Sequence, residues 1–197
     1  MDKTFPVAAR SELILGGQKS GKSRRAELLA RGWLAQSPDH QAVLIATAQP
    51  RDDEMRERIA RHQQDRARRV PRMRTVEEPL ELAQALARHS QAQTLIVVDC
   101  LTLWLTNWLM PVENIKQNMV VAQNGRAKVA MLLLAIEKAA GPVVLVGNEI
   151  GLGVIPLGCE TRAFVDALGR LNQDVAEACE RVTFMAAGLP LTLKGRP

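Results

Sequence analysis

The chain has 197 residues, 47% hydrophobic and 24% charged, which suits one globular domain of about 100–200 residues and excludes a disordered polymer. A net charge of +5 and a pI near 9.5 favour anionic partners, but aromatic residues make up only 3%, with no tyrosine, which argues against a platform for stacking single-stranded bases. Cys100, Cys159 and Cys179 are odd in number, widely spaced and free of any C-x-x-C pair, so neither a disulfide framework nor a zinc site is expected, and a reducing cytoplasm is the simplest setting.

Residues 1–10 lack the apolar core of a signal peptide and read as a loose leader ahead of a single nucleotide-binding domain at 11–197. No stretch reaches the roughly 18 apolar residues of a membrane span. The run Leu13-Ile-Leu then enters Gly16-Gly17-Gln18-Lys19-Ser20-Gly21-Lys22-Ser23, which fits the phosphate-binding pattern G-x-x-x-x-G-K-[ST]. Glycines let the backbone turn so that its N–H groups converge on phosphate oxygens, and the following helix adds its positive N-terminus. Lys22 is expected to reach the terminal phosphates, and the Ser23 hydroxyl to hold Mg²⁺. A helical pattern through Arg24–Ala30 supplies the context that a chance glycine turn would lack.

Ser37-Pro38-Asp39 predicts a turn and Gln41–Thr47 a buried strand. Asp52-Asp53-Glu54 starts a charged helix running to about Arg69, with i,i+4 pairs Glu54–Arg58, Glu57–Arg61 and Asp65–Arg69. Its Met55, Ile59, His62 and Arg66 form one stripe, so His62 is expected to face inward, as a packing residue or as a catalyst. Pro71–Glu78 reads as an irregular link, and Pro79–Arg88 as a helix burying Leu80, Leu82, Ala83 and Leu86. Thr94–Asp99 is an apolar run ending in a carboxylate, the pattern of a Walker B strand that brings Asp99 beside the Mg²⁺ of the loop. Leu101–Met110 predicts an apolar helix ended by Pro111, with Trp104 and Trp108 in the core or at a subunit contact.

The segment 112–125 shows no clear pattern beyond a possible Asn124-Gly125 turn, and Arg126–Ala140 reads as an amphipathic helix. Pro142–Gly147 is a further buried strand, with Asn148-Glu149 at its end, where a polar pair can order Mg²⁺, water or a substrate hydroxyl. Gly151 and Gly153 mark a loop, Thr161–Arg181 a long helix along Phe164, Leu168, Leu171 and Val175, and Val182–Lys194 one or two final strands with Gly188 and Pro190 between them. Alternating strands and helices without an internal repeat predict an α/β fold, a mostly parallel sheet covered by helices on both faces.

Several stretches together go further. Gly16–Ser23, Ile45-Ala-Thr-Ala-Gln49, Asp52-Asp-Glu-Met55, Arg58-Ile59 with His62, Thr75-Val-Glu-Glu-Pro79, Val98-Asp-Cys-Leu-Thr102, Val146–Gly153 and Gly188–Lys194 resemble, in order and over nearly the whole chain, the bifunctional adenosylcobinamide kinase/adenosylcobinamide-phosphate guanylyltransferase family of cobalamin biosynthesis. The resemblance implies a P-loop NTPase of RecA-like fold that uses ATP or GTP with Mg²⁺ to phosphorylate adenosylcobinamide. It then implies transfer of GMP from GTP, through a guanylyl-histidine, to adenosylcobinamide phosphate. The nucleophile falls on His62, whose neutral imidazole can form a transferable phosphoramidate.

By the same resemblance Gly16, Gly17, Gln18, Lys19, Ser20, Gly21, Lys22 and Ser23 hold the triphosphate, while Thr47, Ala48, Gln49 and Arg66 line the nucleotide site. Glu77 and Asp99 match acidic positions of the guanine-nucleotide and metal contacts, and Glu149 joins the nucleotide-binding set. A homo-oligomer, typically a trimer, is implied. The rival readings are a small-molecule P-loop kinase in which His62 is structural, and a P-loop ATPase that binds nucleic acid through the Arg-rich helix. In the second case the arginines are interleaved with Asp and Glu and lack aromatic partners, so no nucleic-acid partner is expected.

Overall fold

The computed structural model describes residues 5–110 and 118–196. Its strands are β1 (Ser11–Gly16), β2 (Gln41–Ala46), β3 (Met73–Glu77), β4 (Thr94–Asp99), β5 (Val143–Val146), β6 (Arg181–Ala186) and β7 (Leu189–Lys194). Its helices are α1 (Lys22–Gln36), α2 (Asp53–Arg69), α3 (Leu82–His89), α4 (Leu101–Leu109), α5 (Asn118–Glu137) and α6 (Cys159–Ala178). The strands form one sheet in the order β3-β2-β4-β5-β1-β6-β7, parallel throughout except for the antiparallel β6–β7 hairpin.

β1 and β5 are buried at every position, because a parallel strand covered on both faces has no solvent side to fill with polar residues. Period-two alternation divides the apolar residues between two cores. Leu13, Leu15, Val43, Ile45, Ile96, Val98 and Leu145 face Leu82, Leu86, Trp104, Leu132, Leu168, Leu171 and Val175 of α3, α4, α5 and α6. Ile14, Leu44, Val97 and Val144 face Ala26, Leu29, Ala30 and Leu34 of α1, and Val70 joins them.

Register decides where the chemistry can sit. Ala46 lies opposite both Glu77 and Asp99, and Asp99 opposite Val146, so four strands end in one row at the same edge. The loop after β1 rises beside that row, since Ile14 is level with Val146 and Gly16 is two residues further on.

Several expectations change. Residues 5–10, expected to be part of a loose leader, lie against the domain: Arg31 stands over the Phe5 ring, Ala9 is buried and Arg181 donates to the Val7 carbonyl. The link at 71–78 contains β3, whose pairing groups come from the exposed side of β2 and not from local pattern. Leu80 precedes α3 and is exposed. Asn124 and Gly125 lie within α5 instead of a turn, and Pro190 lies within β7 opposite Met185, on a strand whose outer side needs no donor. Pro111 lies outside the described residues.

Candidate active site

The phosphate loop is built by close approach. Gly16 has φ +148°, and a Cβ there would collide with the Met185 carbonyl and come within 2.7 Å of Ser20 Oγ. Gly21, at φ +103°, would put a Cβ 3.2 Å from Gly188 Cα. Only glycine fits both places. Lys19 is also left-handed, at φ 56°. The β6–β7 turn braces the loop from above through Gly188 N–H to the Ser20 carbonyl at 3.0 Å. α1 starts directly at Lys22 with no side-chain cap, so the N–H groups of its first turn are available to an anion.

Lys22 is buried and its Nζ donates to the Gly17 carbonyl at 2.6 Å. Burial pushes its pKa below the ordinary lysine range, while Cys100 and Asp99 pull upward and Arg58 pushes further down. Asp99 is half-buried at the end of β4, and Ser23 is half-buried in the first turn of α1. Both offer hard oxygen donors, and Mg²⁺ characteristically takes one or two protein oxygens and fills its remaining positions with phosphate and water. Among the described residues no group of three or more His, Cys, Asp or Glu is arranged to hold a metal ion.

Thr47 is fully buried, and its Oγ1 donates to the Cys100 carbonyl at 2.7 Å and accepts from Cys100 N–H at 2.8 Å, tying the end of β2 to the end of β4. Glu149 N–H donates to the Gly16 carbonyl at 3.1 Å, and Glu149 Oε1 accepts from Gly151 N–H at 2.8 Å. Glu149 is therefore fastened to the phosphate loop. The Cys100 thiol is near enough to act on Lys22, but burial, with Asp99 beside it, pushes that thiol up to about 12. A thiol with that pKa is ionised to the order of one part in 10⁵ at pH 7, which leaves it inert.

α2 departs most from expectation. None of its residues is buried, and His62 is exposed instead of facing inward. No described residue hydrogen-bonds its ring. An amphipathic stripe of Met55, Ile59, His62 and Arg66 is real as a spacing, but the sheet is already covered by α1 on this side, so only Val70 after the helix reaches the core. Of the three expected pairs, Asp65–Arg69 closes at 3.2 Å. Glu54–Arg58 and Glu57–Arg61 do not close among the described residues; Arg58 is instead near enough to Lys22 to depress it.

Arg66 donates to Thr75 Oγ1 at 3.1 Å, and burial lowers its pKa, with Glu27 and Asp99 acting the other way. With Gln63, Met73 and Glu77 it lines a cleft of about 340 Å³ between α2 and β3. Arg66 and Glu77 thus share a hollow, while Thr47, Ala48 and Gln49 follow β2 and do not line it, the last two half-buried. A second concavity, about 550 Å³ around His40, Arg72 and Arg74, lies at the opposite edge of the sheet and holds none of the expected residues.

Sequence placed Arg58 only in a helix pair with Glu54 and in a family motif, not beside Lys22, and it did not single out the brace at Gly188 or the amide of Asn107. A polar Asn107 within the apolar run of α4 was the one available signal. After Glu149 the chain runs through Leu152, Val154, Ile155 and Leu157, all exposed, and Arg162 holds this loop by donating to the Pro156 and Leu157 carbonyls.

Comparison with known proteins matches residues 12–193 to a family described as cobinamide kinase / cobinamide phosphate guanyltransferase. The chain is 49% identical over 187 residues to the bifunctional adenosylcobalamin biosynthesis protein CobP of Pseudomonas aeruginosa, covering 94% of this chain and 98% of that protein. It is 34% identical over 189 residues to the bifunctional adenosylcobalamin biosynthesis protein CobU of Escherichia coli, covering 92% and 98%. Among solved structures it is similar to the flagellar accessory protein FlaH of Methanocaldococcus jannaschii, with TM-score 0.53, 12% identity and coverage of 99% and 84%. At that identity the likeness shows the fold alone, the RecA-like α/β fold of P-loop NTPases.

Proposed function

The chain belongs to the cobinamide kinase / cobinamide phosphate guanyltransferase family, and from that membership we propose how its residues divide two reactions between them. It is an adenosylcobinamide kinase and adenosylcobinamide-phosphate guanylyltransferase of cobalamin biosynthesis. The match spans 12–193, so the phosphate loop, His62, Asp99 and Glu149 all lie within it; that observation carries the assignment of roles.

In the kinase reaction the loop residues Gly16–Ser23 grip the β- and γ-phosphates of ATP or GTP, and Lys22 supplies positive charge to the γ-phosphoryl oxygens. Ser23 and Asp99 would hold Mg²⁺, which would supply neutralisation of phosphate charge. Glu149, fastened beside Gly16, orders the acceptor hydroxyl. The hydroxyl oxygen bonds to the γ-phosphorus as the bond to the nucleoside diphosphate breaks, and the hydroxyl proton leaves toward solvent or carboxylate.

In the second reaction an imidazole nitrogen of His62 attacks the α-phosphorus of GTP and pyrophosphate departs, leaving GMP as a phosphoramidate. A phosphate oxygen of adenosylcobinamide phosphate then attacks the same phosphorus, the P–N bond breaks, and the histidine is restored as a diphosphate forms. Thr47, Ala48, Gln49, Arg66 and Glu77 line the guanine-nucleotide side. An exposed imidazole supports this role, because the acceptor is large and must reach it. The protein works as a cytoplasmic homo-oligomer, the trimer of the resemblance; the exposed apolar loop at 150–157 is surface of the kind that a second copy covers.

The decisive measurement uses GTP labelled on the α-phosphate with Mg²⁺. Label should remain on the denatured protein, survive alkali and be released by acid, and His62→Ala should carry none while still phosphorylating adenosylcobinamide. An adduct that persists in His62→Ala would overturn the assignment.

A further inference from the structure

α2 carries Arg58, His62 and Arg66, yet it buries no residue of its own. Its apolar packing is limited to the half-buried Met55 and Ile59. Its C-terminal end is held by Val70 in the core, by Arg69 to Glu27 at 2.9 Å and by Arg66 to Thr75. Its N-terminal end carries the Arg56–Asp53 pair at 2.6 Å and adjoins a polar junction centred on Asn107 of α4.

Asn107 is only 6% exposed. Its Nδ2 donates to the Thr47 carbonyl at 2.7 Å and the Pro79 carbonyl at 3.1 Å, and its Oδ1 accepts from Arg51 at 3.0 Å. The other arm of Arg51 donates to the Met110 carbonyl at 3.0 Å. The partners fix which way the amide points, since two carbonyls need the nitrogen and a guanidinium needs the oxygen. One buried amide thus joins α4 to the loop after β2, the loop after β3 and the residue preceding Asp52, whose carboxylate caps α2 by accepting from Met55 N–H at 2.7 Å.

We propose that Asn107, with Arg51, is the positioning residue of the guanylyl-transfer half-reaction: it fixes the segment Thr47–Asp52 and through it the axis of α2 and the reach of His62. The inference rests on the guanylyl-histidine reading above. The kinase residues Lys22 and Ser23 are placed by β1 and α1, outside this junction, and Asp99 meets it only through main-chain bonding, its carbonyl accepting from Thr47 N–H at 3.1 Å while β4 itself is paired on both sides, so the two activities should separate. A small misplacement of a nucleophile costs rate steeply, whereas a general loss of stability lowers both activities together.

Asn107→Asp keeps the shape and the acceptor for Arg51 but removes the donor to two carbonyls. With labelled GTP, its rate of adduct formation should fall about tenfold or more, while kinase turnover with ATP stays within about threefold. Amide exchange of residues 53–60 should speed up while that of 94–99 does not. Arg51 is exposed, so Arg51→Ala opens the same junction without touching the core, should Asn107→Asp fold poorly. An adduct in wild type with an unchanged adduct rate in both variants overturns the positioning role alone. No adduct in wild type overturns the histidine reading and the role built on it.

Discussion

Burial holds the Lys22 ammonium below the ordinary lysine range, with Arg58 acting the same way and Asp99 and Cys100 opposing. A base with a depressed folded pKa loses its proton earlier as pH rises. In the free protein this is a stability cost, fully present below the folded pKa and relieved as pH climbs toward the unfolded lysine value. Triphosphate affinity has the opposite sense, because it needs the charge. We therefore expect nucleoside-triphosphate affinity, measured by titration calorimetry, to weaken with rising pH at values below those of an ordinary lysine; Lys22→Met should bind more weakly and lack that limb. A wild-type affinity flat through this range would contradict the role. Lys22 and Ser23 could be picked out from sequence because their spacing within one strand-loop-helix unit is local, and Asp99 because it ends an apolar run of its own, β4. The orientation of His62 could not, since whether a stripe meets a core depends on which other helix already occupies that face.

Elements show the same division. β1, β2, β4 and β5 announce themselves as short apolar runs, because burial on both faces leaves no other composition. β3 does not: Met73–Glu77 has one buried residue, and it becomes a strand because β2 offers an unpaired edge. Asn124-Gly125 has the local chemistry of a turn, yet the indole of Trp108 packs where a Gly125 side chain would stand, and the helix runs through. This gives a test. Alanine raises helix propensity by up to about 1 kcal/mol over glycine, but overpacking costs about 1–3 kcal/mol. Gly125→Ala should lower the urea midpoint without changing the slope; a raised midpoint would show that the Trp108 contact does not limit this position.

For the molecule as a whole, the distribution of exposed apolar side chains is uneven. Leu152, Val154, Ile155 and Leu157 cluster after Glu149, and Leu189, Leu191 and Leu193 lie on the edge strand β7. Patches of this kind on a protein surface mark contacts. Light scattering at micromolar concentration should give a mass well above the 21.7 kDa of one chain, about threefold for the trimer of the family resemblance. A mass equal to one chain would refute it. The sequence by itself determined the α/β class, the family, the loop after β1 and the carboxylate that ends β4, because each is carried by short-range spacing or by ordered motifs along the chain. Only the tertiary structure decided that Ala46, Glu77, Asp99 and Val146 end in one row, that Gly188 braces the loop, that His62 faces solvent and that Asn107 ties the loops after β2 and β3 to α4. Those are meetings of residues far apart in sequence, set by strand pairing and by competition for the two faces of one sheet.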